Sequence, residues 1–342
     1  MGNVTIYDVA EKAGVSIKTV SRIINKEANV SEKTRLKVEA AVEALNYRPS
    51  VSARGLGGNR SYILGLVYDV PSPAYVIDVQ NGVLAACEEE GFGLLIYPCD
   101  HTQKDLAEDL CRLVKDSRLD GLVLTPPISG KKVVLDMLAK EGVPVTLVAP
   151  PEFESGPPSV CTNDIESAVA MTRHLLSLGH RRIAYIKGHE DHPSSRLRLR
   201  GYRAAMKEAG IKEIANLIVQ GKYDFESGEA CARKLLSLDE PPSAIFASND
   251  YMAAGVIKVA SLMGFSIPGD LSVTGFDDAP ISRQMWPMLT TIQQPVVKMA
   301  GAAAHLLITL VRRGEVAERE LRFDSRLIIR ESTGPCQIAV SQ

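Results

Sequence analysis

From Ile63 onward the chain alternates between short apolar runs and stretches of helical periodicity. No other feature restricts its fold as much. The runs ILGLVY (63–68), GLLIY (93–97), GLVLT (121–125) and VPVTLVA (143–149) are separated by helical patterns near 76–90, 103–115 and 132–140. The plan then repeats. Helical patterns near 165–178, 196–209, 225–236 and 251–263 are interleaved with RIAYIKG (182–188), NLIVQG (216–221), SAIFASND (243–250) and LSVTGFD (271–277). Strand followed by helix, repeated, demands parallel sheets, because a parallel neighbour is reached only through a crossover. Two consecutive wound units imply two lobes with a cleft between them, where ligands bind beyond the carboxyl ends of the strands.

The first 47 residues read differently. Thr5 and Asp8 have capping-box spacing, and Val9, Ala10 and Ala13 form an apolar stripe. Gly14 stops that helix and Ser16 starts another over 17–25, with Val20, Ile23 and Ile24 facing inward. Ala10, Gly14 and Val20 supply close approach, turn and wedge for a helix-turn-helix. Outward point Ile17, Lys18, Thr19, Ser21, Arg22 and Asn25, with no carboxylate among them, as groups that donate to phosphates and base edges must be. Ser31 caps a third helix whose expected buried face is Leu36, Val38, Ala41, Val42 and Leu45, ended at Pro49. An ordinary helical hairpin leaves the carboxylate-free second helix unexplained.

Charge follows the same division. Residues 1–60 hold ten Lys/Arg and six Asp/Glu, a balance of +4, whereas the remainder holds 29 against 35, a balance of −6. A basic head on an acidic body points to a localised nucleic-acid footprint. There is no run of 18 apolar residues, so no membrane span is expected, and the polar N-terminus does not read as a signal peptide. The six cysteines lack zinc-site spacing and read as free thiols of a cytoplasmic protein.

The segments TIYDVAEKAGVSIKTVSRIIN, VSEKTRLKVEAAVEALNYRPS and ARGLGG resemble the lactose/galactose repressor family of bacterial regulators. The resemblance continues through LGHRRIAYI, RLRLRGY, SNDYMAAG, LSVTGFDD and LTTIQQP, and so spans essentially the whole chain. It implies a small all-α helix-turn-helix domain (1–47), a hinge (48–61) and an α/β core (62–342) of two doubly wound, periplasmic-binding-protein-like subdomains. Their expected extents are 62–162 with 293–322, and 163–290 with 323–332, the chain crossing between them three times. The implied partners are double-stranded operator DNA, a sugar-like effector and a second copy of the chain. No cofactor and no metal are implied. The expected DNA-facing set is Thr5, Tyr7, Ser16, Ile17, Lys18, Thr19, Ser21, Arg22, Asn25, Asn29, Ser31, Thr34, Arg54 and Leu56. In the family, a Leu at the position of Leu56 wedges into the minor groove. Here Gly55, Gly57 and Gly58 surround it, which weakens a helix by about 1 kcal/mol per site.

Polar groups at the strand ends form the expected effector set of Asp69, Tyr75, Arg198, Tyr223, Asn249 and Asp277. By resemblance, Arg198, Asn249 and Asp277 match sugar- or nucleoside-contacting positions and Tyr223 an aromatic that packs on the ligand. Charged groups bond vicinal hydroxyls while an aromatic face covers C–H surface, which suits a polyol. Asp250 reads as the cap of the helix at 251–263, Asp278 as structural, and Ala149 stands where some relatives carry Asp. His180 reads as a helix-end residue, and His189 and His192 as residues of a mobile rim.

Other classes fit less well. There is no P-loop, nucleophile elbow or dinucleotide fingerprint, so an enzyme is not expected. A solute-binding or nucleoside-responsive protein of the same core fold remains the alternative to a sugar-responsive repressor. A nucleoid packager would not carry an acidic, cleft-bearing body.

Overall fold

The computed structural model describes residues 4–24, 30–47, 60–69, 72–151, 156–212 and 214–337. The chain divides into two compact units, Met1–Tyr62 and Ile63–Gln342. In the first, α1 (Ile6–Ala13), α2 (Ile17–Ile24) and α3 (Glu32–Ala44) pack around Val9, Ala10, Val20, Ile23, Val38, Ala41 and Tyr47. The Thr5 amide and hydroxyl both donate to one Asp8 carboxylate oxygen at 2.7 Å, which holds the Asp8 carboxyl below its ordinary range. Gly14 ends α1 in the left-handed region (φ 65°). Ser16 and Ser31 accept from the amides of Thr19 and Thr34 at 3.2 and 3.3 Å, so each opens its helix as the sequence suggests. Leu36 departs from expectation: it is exposed, and Val42 and Leu45 are only half-buried. Leu36 and Val38 are two residues apart, and such positions do not share a helix face.

The second unit contains two parallel sheets. The larger is ordered β11-β5-β4-β3-β1-β2, from β1 (Ile63–Tyr68), β2 (Gly93–Pro98), β3 (Gly121–Leu124), β4 (Val145–Val148), β5 (Ser159–Thr162) and β11 (Glu320–Phe323). The smaller is ordered β7-β6-β8-β9, from β6 (Ile183–Lys187), β7 (Ile218–Gln220), β8 (Ala244–Ala247) and β9 (Ser272–Thr274). In each, the order reverses beside the first strand, and crevices for ligands open at such switch points. Strands β3, β4 and β8 are buried along their length, which explains their unbroken apolar runs.

The crossover helices of the larger sheet are α4 (Pro73–Glu90), α5 (Leu106–Asp116) and α6 (Lys132–Lys140). Those of the smaller are α7 (Asp164–Ser177), α8 (Pro193–Glu208), α9 (Phe225–Leu236) and α10 (Asp250–Leu262). Both α4 and α8 begin earlier than their periodicity suggests, each with a proline in its first turn, where the missing N–H does no harm. After the short α11 (Ile281–Gln284), β10 (Thr291–Gln293) pairs antiparallel with β12 (Arg326–Ile328). Between them α12 (Val296–Arg313) returns to the larger sheet and packs on α4. The contact is close because Gly82 lies against the Val297 carbonyl, where any Cβ would overlap.

The chain therefore passes between the sheets at Asn163, at 294–295 and at 324–325. Two of these passages are tied together. The Asn163 carbonyl accepts from the Ser325 amide (2.8 Å), and its amide donates to Asp324 (3.3 Å). His180 is not a helix-end residue as the sequence suggested. Its ring is buried between Ser243 and Ser272 hydroxyls, both at 2.9 Å, where it stitches strand starts together. All six cysteines are free thiols, and among the described residues no helix is long and apolar enough to cross a membrane.

Candidate functional site

Between the carboxyl ends of the two sheets lies a cleft holding about 500 Å³ of atom-free space. The larger-sheet side contributes Ser72 and Tyr75 from the start of α4, Pro126 after β3 and Ala149 after β4. The smaller-sheet side contributes His192 and Ser194 at the start of α8, Arg198 within α8, Tyr223 after β7, Asn249 after β8 and Asp277 after β9. Asp164 and Gln294 line it from the passages between the sheets.

Arg198 organises this site. Its guanidinium is 4 % exposed and lies 3.6 Å above the Phe276 ring. Nε donates to Asp164 Oδ1 (2.7 Å), and one terminal nitrogen donates to the Ser248 carbonyl (2.7 Å) and reaches Asp277 at 3.5 Å. A buried guanidinium needs such partners, and here two carboxylates supply them. Asp277 also accepts from Gln294 (2.7 Å), which ties the end of β9 to a passage between the sheets. Burial pushes the Asp277 carboxyl up to about 6, against the pull of Arg198.

Tyr223 is fixed from three directions. Its ring lies on the Gly188 backbone so closely that a Cβ there would overlap it. Its hydroxyl meets Ser194 Oγ at 3.0 Å, and its carbonyl accepts from Asn249 Nδ2 at 2.8 Å. Asn249 Oδ1 accepts from the Met252 amide at 2.9 Å. Asn249 is thus the cap of α10, and Asp250, read as that cap from sequence, is its first residue. Asp250 is buried and accepts from Ala279 N and Thr291 Oγ1 at 2.7 and 2.6 Å. Asp278 is structural as well, paired with Arg330 at 2.6 Å.

Of the expected effector set, the structure brings together Tyr75, Arg198, Tyr223, Asn249 and Asp277. Asp69 is absent from the lining. It accepts from the amide and Nδ1 of His101 at 2.7 and 2.6 Å. The His101 ring then reaches across to Asp191 through Nε2 at 2.9 Å. His192 was read as part of a mobile rim, but it is buried in the lining, with its ring 5.3 Å from that of Tyr223. Burial pushes its imidazole down to about 4, so it is neutral near pH 7. Sequence reasoning also passed over Asp164 and Gln294. Only their places in the fold mark them.

In the head, Tyr7, Ile17, Lys18 and Ser31 are exposed. Thr19 and Thr34 serve in the caps, and Ser21 and Arg22 are half-buried. Asn25, Asn29, Arg54 and Leu56 lie outside the described residues.

Comparison with known proteins places this arrangement. Residues 5–50 match the model of bacterial regulatory proteins of the lacI family, and 172–333 match a periplasmic binding protein-like domain. The chain is 35% identical to the HTH-type transcriptional regulator DegA of Bacillus subtilis (strain 168), over 97% of this chain and 98% of that one. It is 34% identical to the ribose operon repressor of Escherichia coli (strain K12), over 96% and 99%. Among solved structures it resembles the lac repressor dimer bound to operator and the anti-inducer ONPF, with a TM-score of 0.76 and 28% identity over 97% of this chain and all of that one. The chain belongs to the LacI family of transcriptional regulators, with a helix-turn-helix head and an effector-binding core, and it is not an enzyme.

Proposed function

We propose that this chain is a repressor whose operator affinity is set by a small hydroxyl-rich effector, a sugar or sugar derivative, held in the cleft around Arg198. The carrying observation is the buried network of Arg198, Asp164, Asp277 and Gln294, which joins the cleft lining to the passages between the sheets. A ligand bonding this network has differential affinity for open and closed arrangements, and that difference is what shifts a conformational equilibrium. On the DNA side, Ile17, Lys18 and Arg22 read the major groove of each half-site, with Thr5, Tyr7, Ser16, Thr19, Ser21, Asn25, Asn29, Ser31, Thr34 and Arg54 positioned for the backbone. Two copies bind a pseudo-palindromic site, and paired Leu56 side chains open its centre. The titles of related structures include a CelR–cellobiose complex and a LacI-family regulator with bound ribose, which supports the sugar reading. Relatives also include purine repressors, which keeps nucleobases and nucleosides in the test. A thermal-shift screen of sugars and nucleosides identifies the ligand, since a ligand of the folded state raises its apparent stability. Operator binding of the Arg198→Ala protein then checks the reading. Loss of the ligand response with operator affinity retained is expected, and an unchanged ligand response overturns it.

A further inference from the structure

We infer that the cleft selects uncharged or cationic hydroxyl-rich effectors and rejects phosphate esters and carboxylates, because its charged groups are two carboxylates around one already-committed guanidinium. This rests on the cleft being the effector site and concerns the class of molecule it admits.

The accounting is short. Among the described lining residues the charged side chains are Asp164, Asp277 and Arg198. The lining contains no lysine and no second arginine. With both carboxylates ionised, the lining carries one excess negative charge. Arg198 cannot be recruited by an incoming anion without loss, because Asp164, the Ser248 carbonyl and Asp277 already take its Nε and one terminal nitrogen. Pulling it toward a phosphate would leave a buried carboxylate without its partner.

The next candidate for a positive charge is His192. It is 6 % exposed and surrounded by the His189 and Tyr223 rings, and burial keeps it neutral near pH 7. Asp250 lies behind Asp277 and adds a further buried acid on the same side. The start of α8, a favourable place for an anion, opens with Pro193, which removes one of the free amide donors. The Ser195 amide is also taken, by the His192 carbonyl at 3.1 Å. What faces the space instead is the chemistry of hydroxyl recognition: Ser72, Ser194, Tyr75, Tyr223, Gln294 and the carboxylate of Asp277. Carboxylates accept from hydroxyls and ammonium groups but only repel another anion.

The test pairs each neutral probe with its anionic counterpart on the full-length protein by titration calorimetry at pH 7.5. Suitable pairs are ribose with ribose 5-phosphate, glucose with glucose 6-phosphate, glucose with gluconate, and adenosine with AMP. Glucosamine serves as the cationic probe. The expected result is that the bound member of any pair is the neutral one, with its anionic counterpart on the order of 100-fold weaker. In the Asp277→Asn protein the gap should narrow to about tenfold or less, since one repelling charge is gone. A phosphate or carboxylate binding as tightly as its neutral partner overturns the charge selection. If that anion's binding is also lost in Arg198→Ala, the cleft remains the effector site and only the selection fails. Binding that is indifferent to Arg198→Ala, or no binding by any probe, overturns the cleft reading and this inference with it.

Discussion

The two walls of the cleft are built on opposite plans. The wall from the larger sheet is Ser72, Tyr75, Pro126 and Ala149, none of them charged. The wall from the smaller sheet holds Arg198, Asp277, His192, Tyr223 and Asn249, in side chains bonded to one another before any ligand arrives. A preorganised polar wall fixes ligand orientation because its reorganisation cost is already met in folding. The neutral wall then acts as a cover, which adds contacts and excludes water. The ligand should therefore dock first on the smaller-sheet side, with closure following.

Breaking the charged wall should have the largest effect. Arg198→Ala leaves Asp164 and Asp277 buried without their cation, and such a removal destabilises by about 3–5 kcal/mol. Urea unfolding should show that loss, and ligand binding should disappear with it. The next effect is on pH dependence. Asp277, raised by burial from 3.8 to about 6, holds a proton in the folded state that the unfolded chain has lost, so its contribution falls as pH rises from about 4 to about 6. His192, lowered by burial from 6.5 to about 4, does the reverse, and its contribution rises across about 4 to 6.5. Each is worth roughly 3 kcal/mol and they largely cancel. Melting temperature should therefore fall from pH 4 to 6 in His192→Gln and rise over the same range in Asp277→Asn. Parallel profiles in the two variants would sink this account.

Smaller effects follow. Gly188→Ala puts a methyl group into the Tyr223 ring and should cost about 1–3 kcal/mol, with weaker ligand binding read by calorimetry. On the opposite wall, Ser72→Ala should weaken binding by less than about tenfold, the worth of one neutral hydrogen bond. If Ser72→Ala instead matched Arg198→Ala, the two walls would not differ in the way proposed.

Much of this was legible in the chain. The caps at Ser16 and Ser31, the stop at Gly14 and the strand runs at 63–68 and 121–125 are local signals, and the structure carries each of them. What escaped was non-local or weakly patterned. Strands β5 and β11 are four residues each, and β11 keeps charged residues on its solvent side, so neither makes an apolar run. The cap of α10 fell one residue early because Asn249 and Asp250 are equally good caps on paper. Asp164 and Gln294 matter only because the passages between sheets bring them beside Arg198 and Asp277, and no spacing announces that. Tyr223 and Asp277 take positive φ values, 69° and 111°, which only the packed neighbourhood can impose on non-glycine residues.

The bond from His101 to Asp191 has a mechanical consequence. Passages between the sheets leave the larger one near β5 and β11, whereas His101 follows β2 at the opposite edge. Four strand spacings separate β5 from β2, about 19 Å. A rotation of one sheet against the other about those passages is therefore geared. Each 10° would move the far edge by about 3 Å, while atoms beside the pivot, Gln294 and Asp277 among them, barely shift. That travel is enough to break a hydrogen bond at one end and keep one at the other. The cleft is thus an amplifier with its input near the axle and its output at the rim. A pair of probes at the His101–Asp191 edge would register strokes too small to see around the ligand.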